Sequence, residues 1–452
     1  MSSSFVSPDH VRSLFAQAMS AMYRAEVPLY GTLMELVAEV NAATLQADPV
    51  LAAQLRRNDE LERLDQERHG AIRVGSAAEL AMLRRVFAVM GMVPVGYYDL
   101  SVAGVPVHST AFRPVEAAAL AANPFRVFTS LLRLELIEDE GLRAQARAIL
   151  DRRDIFTPGV RALVAQAERE GGLSAADAQR FVAEALETFR WHGDATVPLA
   201  TYQALSDAHR LIADVVCFHG PHINHLTPRT LDIDAAQAGM LARGIDAKAV
   251  IEGPPRRAVP ILLRQTSFKA LQEAVSFPEA DGSRLGRHTA RFGEIEQRGL
   301  ALTPKGRALY DRLLERARAA EGSTGGDYGQ RLAAAFADFP DDAASLRREG
   351  LGYFRYALTD AGRAAPGRVR GQSPEALVEA GLASADPIVY EDFLPVSAAG
   401  IFQSNLGGAE QRSYTAHANR AAFEQALGAP VADEFAIYQR LQDESIAALG
   451  AA

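Results

Sequence analysis

The amino-acid sequence predicts an α+β fold, in which a mixed β-sheet core is wrapped by helices. Residues 92–113, 215–303 and 386–405 are rich in β-branched and aromatic side chains with partial alternation, which is typical of strands. Elsewhere apolar residues recur at three- and four-residue spacing, which is typical of helices that pack by one face. The strand-like stretches therefore form the predicted core, and the helical stretches form its cover.

The predicted helices lie at both ends of the chain and between the strand-like stretches. Ser76, followed by Glu79 three residues later, is a capping box and predicts the start of a helix. Periodic apolar residues predict the other helical runs, which are 8–60, 59–69, most of 115–190, and 304–320.

The predicted strands are short and bounded by glycine, proline or polar residues. Two of them lie in 94–115, "PVGYYDLSVAGVPVHSTAFRPV", where valine and tyrosine alternate partly with polar residues. The remaining candidates are 215–220 ("VVCFHG"), 222–229 ("HINHLTPR"), 258–268 ("AVPILLRQTSF"), 288–303 ("HTARFGEIEQRGLALT") and 387–406 ("PIVYEDFLPVSAAGIFQSNL").

Composition narrows the class of protein. The chain has 452 residues, of which 48% are hydrophobic and 23% charged, as is ordinary for a globular enzyme. Its net charge of −9 argues against nucleic-acid binding. We also expect no signal peptide and no membrane span, because the chain has neither a basic, apolar leader nor an apolar run of about 18 residues. A single cysteine, Cys217, excludes an internal disulfide and fits a reducing cytoplasm.

A local excess of histidine raises the question of a metal site. The stretch 219–234, "HGPHINHLTPRTLDID", places His219, His222 and His225 within seven residues of a chain that has ten histidines. If this stretch is a strand, His222 and His225 point to opposite faces of the sheet. We therefore expect one metal ligand here rather than three.

Two further stretches contain candidate ligands. In "FGEIEQRGLALTPKG", Glu294 and Glu296 share one face of a predicted strand, and two buried acids would need a partner or a cation. An exposed edge strand with solvated glutamates is equally open. In "ERHGAIRVGS", His69 and Arg73 would lie side by side on a helix. Gly70 weakens that helix, so a loop is equally open.

Together these stretches offer two histidines and a glutamate from separate parts of the chain. Such a set leaves open positions on the metal and suits non-haem Fe(II) with oxygen chemistry, but it also suits catalytic zinc. The H-E-x-x-H, G-x-S-x-G, P-loop and dinucleotide-binding motifs are absent from the sequence.

Six blocks in order between about residues 60 and 410 carry a resemblance to a known family. They are "ERHGAIRVGS", "YYDLSVAGVPVHSTAFRPV", "HINHLTPRTLDID", "LLRQTSFKAL", "FGEIEQRG" and "DFLPVSAAGIFQSNL". Together they resemble the 2-oxoadipate dioxygenase/decarboxylase (2-hydroxyglutarate synthase) family. The resemblance implies a core of vicinal-oxygen-chelate type, a partly closed barrel, with Fe(II) as cofactor. It also implies conversion of 2-oxoadipate and O₂ to 2-hydroxyglutarate and CO₂ in cytoplasmic lysine breakdown.

The same resemblance implies roles for individual residues. His69, His225 and Glu294 would be the iron ligands. Glu294 is selected over Glu296 because "EIEQRG" is similar to the "EIIQR" strand of hydroxyphenylpyruvate dioxygenases. Arg73 would hold the substrate, and the backbone of Val396 and Ser397 would close over its carboxylate. The residues expected to support the site or the fold, without an assigned catalytic role, are His108, His219, His222, Gln265, Thr266, Ser267 and Lys269.

We expect four segments: an N-terminal helical segment 1–60, a metal-binding core 61–305 with a helical insertion 115–210, a second insertion 306–385, and a C-terminal segment 386–452 that completes the site. Two other functions stay open. One is a zinc hydrolase or lyase that uses the same ligands, and the other is a non-catalytic protein that binds a 2-oxo acid. Oxygen consumption and metal identity separate the zinc enzyme from the dioxygenase. Tight binding of a 2-oxo acid without turnover would indicate the binding protein. The predicted Arg73 contact is compatible with several 2-oxo acids, including C5 and branched ones.

Overall fold

The structure of the protein is a computed structural model that describes residues 5–248, 250–268, 272–289, 291–319, 328–394 and 416–450. Its strands, in chain order, are β1 (Arg68–Val74), β2 (Val93–Asp99), β3 (Val107–Arg113), β4 (Arg126–Leu132), β5 (Leu226–Pro228), β6 (Leu263–Ser267), β7 (Glu273–Glu279), β8 (Gly282–His288), β9 (Glu294–Arg298), β10 (Phe354–Leu358) and β11 (Ala383–Pro387).

The helices surround these strands, and the predicted α+β class is confirmed. In chain order they are α1 (Pro8–Glu26), α2 (Pro28–Ala47), α3 (Pro49–Arg57), α4 (Ala77–Val89), α5 (Ala117–Ala122), α6 (Glu140–Leu150), α7 (Pro158–Glu170), α8 (Ala175–Leu186), α9 (Leu199–Ala208), α10 (Arg210–Val216), α11 (Ile233–Ala242), α12 (Pro304–Ala319), α13 (Tyr328–Ala335), α14 (Ala343–Arg348), α15 (Asp360–Arg363), α16 (Pro366–Val369), α17 (Pro374–Glu379), α18 (Ala416–Leu427) and α19 (Glu434–Gly450).

The main sheet has five strands in the order β2-β3-β4-β1-β5. β1 pairs in parallel with β4 and antiparallel with β5. Side chains alternate along β1, so Ile72 and Val74 enter the apolar core beneath the helices. His69, Ala71 and Arg73 point to the opposite face. The sheet therefore has one structural face and one face that carries the candidate site residues.

A second pair of strands extends this second face. β6 and β9 are antiparallel neighbours, with Gln265 opposite Glu296 and Ser267 opposite Glu294. A bridge between Arg229 and Glu296 connects the end of β5 to β9. The glutamates predicted to share a strand face thus lie beside the main sheet, close to β1.

Among the stretches that differ from the sequence-based expectations, three bear on the site. The first, β4, lies inside 115–190; all seven of its residues are buried, so it lacks the alternation that reveals a half-exposed strand. The second is the predicted strand 215–220, whose first two residues instead end the helix α10, because tertiary packing that buries this stretch overrides its β-propensity. The third is β1, which is neither the helix nor the loop considered for "ERHGAIRVGS". A Cβ atom at Gly70 would lie 2.5 Å from Ile223 Cδ1, which explains a glycine in this strand.

Other expectations are confirmed in the described residues. α1, α2 and α3 occupy 8–57, and Ser76 caps α4 by accepting a hydrogen bond from the Glu79 backbone N–H. The run 59–69 forms turns and the start of β1 rather than a helix. Residues 395–406 of the last predicted strand patch lie outside the described residues. In the part of the chain that is described, no helix is both long and apolar enough to cross a bilayer.

Candidate metal centre

His69, His225 and Glu294 come together at the junction of the two sheets. His69 is on β1, His225 directly precedes β5, and Glu294 is the first residue of β9. Their potential ligand atoms all lie within 4.8 Å of one another, and all three side chains are buried. The structure therefore brings together the three residues predicted to bind the metal.

A carboxylate behind His69 determines which of its ring nitrogens is available. Glu296 Oε2 lies 2.8 Å from His69 Nδ1, and Glu294 Oε2 lies 3.3 Å from Nε2. A carboxylate this close to Nδ1 favours the ring proton on that nitrogen and leaves the Nε2 lone pair to bind a metal. The two glutamates thus differ in role: Glu294 faces the candidate metal position, and Glu296 orients His69.

A hydroxyl group orients His225 in the same way. Thr227 Oγ1 donates to Glu294 Oε2 at 2.9 Å and lies 2.9 Å from His225 Nδ1. Because the hydroxyl proton is directed to Glu294, the hydroxyl oxygen accepts from His225 Nδ1–H. The lone pair of His225 is therefore on Nε2.

Four buried atoms of this cluster make no hydrogen bond within the described chain. One of them, His69 Nδ1, lies 2.8 Å from Glu296 Oε2 as an ion-pair contact. The other three are His69 Nε2, His225 Nε2 and Glu294 Oε1. Buried polar atoms are rarely left unpaired, because desolvation without a partner is costly. A cation bound by all three atoms would satisfy them at once. The residues present thus fit a mononuclear metal held by two histidines and one carboxylate.

The electrostatics of the cluster also favour a cation. Burial holds the pKa of His225 at about 4, so its imidazole is neutral at physiological pH, as a metal ligand must be. Burial alone would lower the pKa of His69, but Glu296 and Glu294 raise it overall. The two carboxylates thus stabilise positive charge at His69, whether a proton or a metal ion supplies it.

Arginines hold Glu296 but not Glu294. Arg298 donates two hydrogen bonds to Glu296, at 2.8 and 2.9 Å, and Arg126 approaches it at 3.4 Å. Burial raises the pKa of Glu296, but Arg298 and His69 outweigh it and the pKa falls to about 2. Within the described chain, the ion pairs of Glu294 are with histidines only. No arginine of the described chain therefore forms an ion pair with Glu294.

A second cluster of the same composition lies on the same side of the molecule. Asp214, His222 and His288 are buried, and their potential ligand atoms also lie within 4.8 Å of one another. His288 Nε2 lies 2.8 Å from Asp214 Oδ1, and Tyr202 Oη lies 2.9 Å from His288 Nδ1. Arg73 Nη1 donates to Asp214 Oδ2 at 2.8 Å. We refer to Asp214, His222, His288 and Tyr202 as the Asp214 cluster.

Arg73 belongs to this second cluster rather than lying beside His69. Four residues at roughly 3.3 Å each separate them along β1, about 13 Å in all. Strand alternation nevertheless directs both side chains to one face, with Ala71 between them. Arg73 also contributes to lowering the pKa of His225, after burial and His69. The helical neighbourhood considered for this pair is wrong, but the shared face is confirmed.

Other candidate residues are distributed around the site. Gln265 and Ser267 are buried on the face of Glu294 and Glu296, and the side-chain polar atoms of both lack partners within the described chain. Thr266 points to the opposite face, near Gln237. His108 contacts Tyr97 and Phe423, and His219 is exposed. Lys269, Val396 and Ser397 lie outside the described residues.

Sequence reasoning missed Thr227, Asp214 and His288. Thr227 follows His225 by two residues, a spacing at which a bent chain can return a hydroxyl to the ring, so this signal was available. Asp214 lies in a run of apolar residues that is helical rather than extended, and His288 is 74 residues away in sequence from it. Nothing local in the sequence connects these two residues.

A buried set of two histidines and a carboxylate on a mixed sheet defines a candidate mononuclear metalloenzyme. Residues 15–405 match the family model described as 2-oxoadipate dioxygenase/decarboxylase. The chain belongs to this family, which confirms the resemblance, and it is an enzyme of the oxidoreductase class.

Full-length relatives agree with the family model. The chain is 62% identical over 450 residues to a Pseudomonas putida protein named 2-oxoadipate dioxygenase/decarboxylase, covering 98% of this chain and 97% of that one. An Escherichia coli protein of the same name is 61% identical over 444 residues, covering 97% and 98%. A crystal structure of the Pseudomonas putida hydroxyglutarate synthase in complex with 2-oxoadipate matches with a TM-score of 0.91 and 59% identity, covering 99% and 98% of the two chains.

Proposed function

We propose that this enzyme converts 2-oxoadipate and O₂ to 2-hydroxyglutarate and CO₂, with Fe(II) held by His69, His225 and Glu294. The observation that carries the proposal is the convergence of three buried ligand atoms without partners within the described chain. The names and coverage of the full-length relatives support the substrate.

The donor set supports iron. Two imidazoles and one carboxylate that leave open metal positions are typical of non-haem Fe(II) enzymes that react with O₂. When bound, Fe(II) supplies the oxygen activation that side chains cannot supply. The protein's part is to fix the ligands, and Glu296 and Thr227 do so by holding the Nδ1–H of each histidine.

We propose that Arg73 binds the substrate carboxylate that is remote from the metal. A guanidinium group recognises a carboxylate through parallel, charge-assisted hydrogen bonds. The separation of about 13 Å between His69 and Arg73 along β1 suits a substrate whose metal-binding end and second carboxylate are several carbons apart. Gln265 supports this proposal, because it is buried beside Glu296 and neither of its amide atoms has a partner among the described residues.

We further propose that the backbone of Val396 and Ser397 closes over the substrate carboxylate. Support comes from the described residues that precede them. Phe393 packs its ring 5.0 Å from that of His69, measured between centroids. Asp392 is held by two hydrogen bonds from Arg113, at 2.6 and 2.7 Å. The chain is therefore anchored at the metal centre just before this segment.

The finer fold assignment is also a proposal. A partly closed barrel of vicinal-oxygen-chelate type is supported by the bridge from Arg229 to Glu296, which continues the five-stranded sheet into β9 and β6 around the metal ligands. We keep the division into 1–60, 61–305 with insertion 115–210, 306–385 and 386–452. The single, buried Cys217 supports a reducing cytoplasmic location, where the reaction would serve lysine breakdown.

Anaerobic reconstitution with Fe(II), followed by addition of 2-oxoadipate and oxygen, tests the proposal. We expect one O₂ consumed per 2-hydroxyglutarate formed, identified by mass. Uptake with a different 2-oxo acid alone would keep the reaction class and change the substrate. Zinc-dependent turnover without oxygen uptake would favour the hydrolase or lyase. Tight 2-oxo-acid binding without turnover, in protein that holds iron, would favour the binding protein.

A further inference from the structure

We propose that Asp214 is a positioning residue that holds Arg73 for the second carboxylate of the substrate, and that His288 and Tyr202 in turn hold Asp214. The inference rests on the proposed function. It assigns to the Asp214 cluster a role in selecting dicarboxylic over monocarboxylic 2-oxo acids, rather than a role in binding a second metal ion.

The hydrogen bonds of the cluster form one connected series that converges on the Asp214 carboxylate. Asp214 accepts from Arg73 Nη1 on Oδ2 and from His288 Nε2–H on Oδ1, both at 2.8 Å. With the His288 proton on Nε2, the Nδ1 atom accepts from the Tyr202 hydroxyl at 2.9 Å. Each bond fixes the orientation of the next group, from Tyr202 to the guanidinium.

The same bonds argue against a metal ion in this cluster. A metal would have to replace the His288 proton and compete with the Arg73 cation for the carboxylate. Of the three potential ligand atoms only His222 Nε2 lacks a partner in the described chain, and it lies 3.3 Å from Asp214 Oδ1. At the metal centre, by contrast, all three residues offer an atom without a partner.

Burial strengthens the ion pair by which Asp214 holds Arg73. Asp214 and His288 are 6% and 4% exposed, and Arg73 is partly buried, so the ion pair is only weakly screened by solvent. An arginine side chain has several rotatable bonds, and a fixed carboxylate selects the conformers that keep Nη1 in place. The guanidinium group has five N–H donors, so a bond to Asp214 is compatible with two further bonds to a substrate carboxylate.

Asp214 is also well placed in the chain for this role. α10 places it against β8, which ends at His288, and both lie on the Ala71 side of the sheet. The cluster therefore connects three separate parts of the chain to the single strand that also carries His69.

The test compares two substrates of equal length in two variants. 2-Oxoadipate and 2-oxohexanoate share the metal-binding end, and only the first has a second carboxylate. In Asp214→Asn the side chain has one acceptor oxygen for two donors, so Arg73 or His288 loses its partner. We expect KM for 2-oxoadipate to rise by about ten-fold or more, with a smaller change in kcat. The ratio of kcat/KM for 2-oxoadipate to that for 2-oxohexanoate should fall by a similar factor.

Tyr202→Phe provides a milder variant that leaves the Asp214–Arg73 pair intact. It should shift the same ratio in the same direction by a smaller factor, at unchanged iron content. An unchanged ratio in both folded variants, or a lower KM for 2-oxoadipate in Asp214→Asn, would overturn the inference. A fall from two bound metal ions in the wild-type protein to one in Asp214→Asn would also overturn the inference. Absence of oxygen uptake by the wild-type protein with 2-oxoadipate would instead overturn the proposed function.

Discussion

The metal centre and the Asp214 cluster have the same composition, two histidines and one carboxylate, yet their hydrogen bonds differ. At the metal centre the histidine Nδ1 atoms are held by Glu296 and Thr227, and both Nε2 atoms lack partners within the described chain. In the Asp214 cluster, His288 uses both ring nitrogens within the protein. Composition and proximity alone therefore do not identify a metal site; the positions of the protons do.

The charged partners of the two carboxylates also distinguish the clusters. Glu294 pairs only with histidines in the described chain, so the metal centre can accept a cation. Asp214 is already paired with Arg73. Burial would raise the pKa of Asp214, but His222, His288 and Arg73 lower it well below its usual range. The carboxylate thus stays charged and continues to hold the guanidinium.

The largest expected effect separates two histidines that lie three residues apart. His225→Ala should abolish Fe(II) binding and oxygen uptake, because it removes one of the three ligands. His222→Ala is the matched control and should retain Fe(II), measured by metal analysis after anaerobic reconstitution. Full iron content in His225→Ala, or its loss in His222→Ala, would reverse the assignment of the two clusters.

Arg73→Lys tests whether the Asp214 cluster serves the substrate rather than the metal. Lysine keeps the charge but not the planar pair of donors, so kcat/KM for 2-oxoadipate should fall by about 10- to 100-fold. Fe(II) binding should remain, because Arg73 is not one of the three ligands and its ion pair is with Asp214. Steady-state oxygen uptake checks the first expectation and metal analysis the second. Unchanged kinetics would remove Arg73 from the substrate site.

Glu296→Gln tests the support of His69. The amide carries no charge to stabilise the imidazole and leaves Arg298 without its bidentate partner, so Fe(II) affinity should fall by about 10- to 100-fold. Competition against a chelator of known affinity measures it. Gln297→Ala is the control: it changes the neighbouring residue on the opposite face of β9 and should leave Fe(II) affinity unaffected. Equal affinities in all three proteins would exclude the orienting role.

The last prediction concerns the stability of the folded protein in acid and the contribution of His222 to it. Burial lowers the pKa of His222 from 6.5 to about 3. Because the unfolded chain takes up this proton first, the free energy of unfolding should fall between pH 6.5 and pH 3, by at most about 1.4 kcal/mol per pH unit. Urea unfolding of the metal-free protein should show a shallower fall in His222→Gln. The exposed His219→Gln should behave as wild type; identical slopes in all three would contradict the burial argument.

Part of this comparison was accessible from the sequence. The α+β class and β2, β3, β6 and β9 follow from local patterns. The motifs of the family led to His69, His225 and Glu294, whereas the residues alone left Glu294 and Glu296 equally open. The two glutamates are distinguished by which carboxylate reaches which nitrogen of His69. Those distances depend on how β9 packs beside β1.

The Asp214 cluster could not be predicted from the sequence, because no local sequence pattern connects its residues. The stretch 215–220 suggested a strand, and only tertiary packing makes the preceding residues helical. β4, which pairs with β1 and sets the direction of Arg73, is buried on both faces and gives no alternation to read. Contacts between residues far apart in sequence decide both cases.

Anomalous scattering from crystals grown anaerobically with Fe(II) tests the central claim most directly. We expect one iron peak, bounded by His69 Nε2, His225 Nε2 and a Glu294 carboxylate oxygen, and none at the Asp214 cluster. An iron peak bounded by Asp214, His222 and His288 would contradict it, because the proton positions would then not distinguish the two clusters.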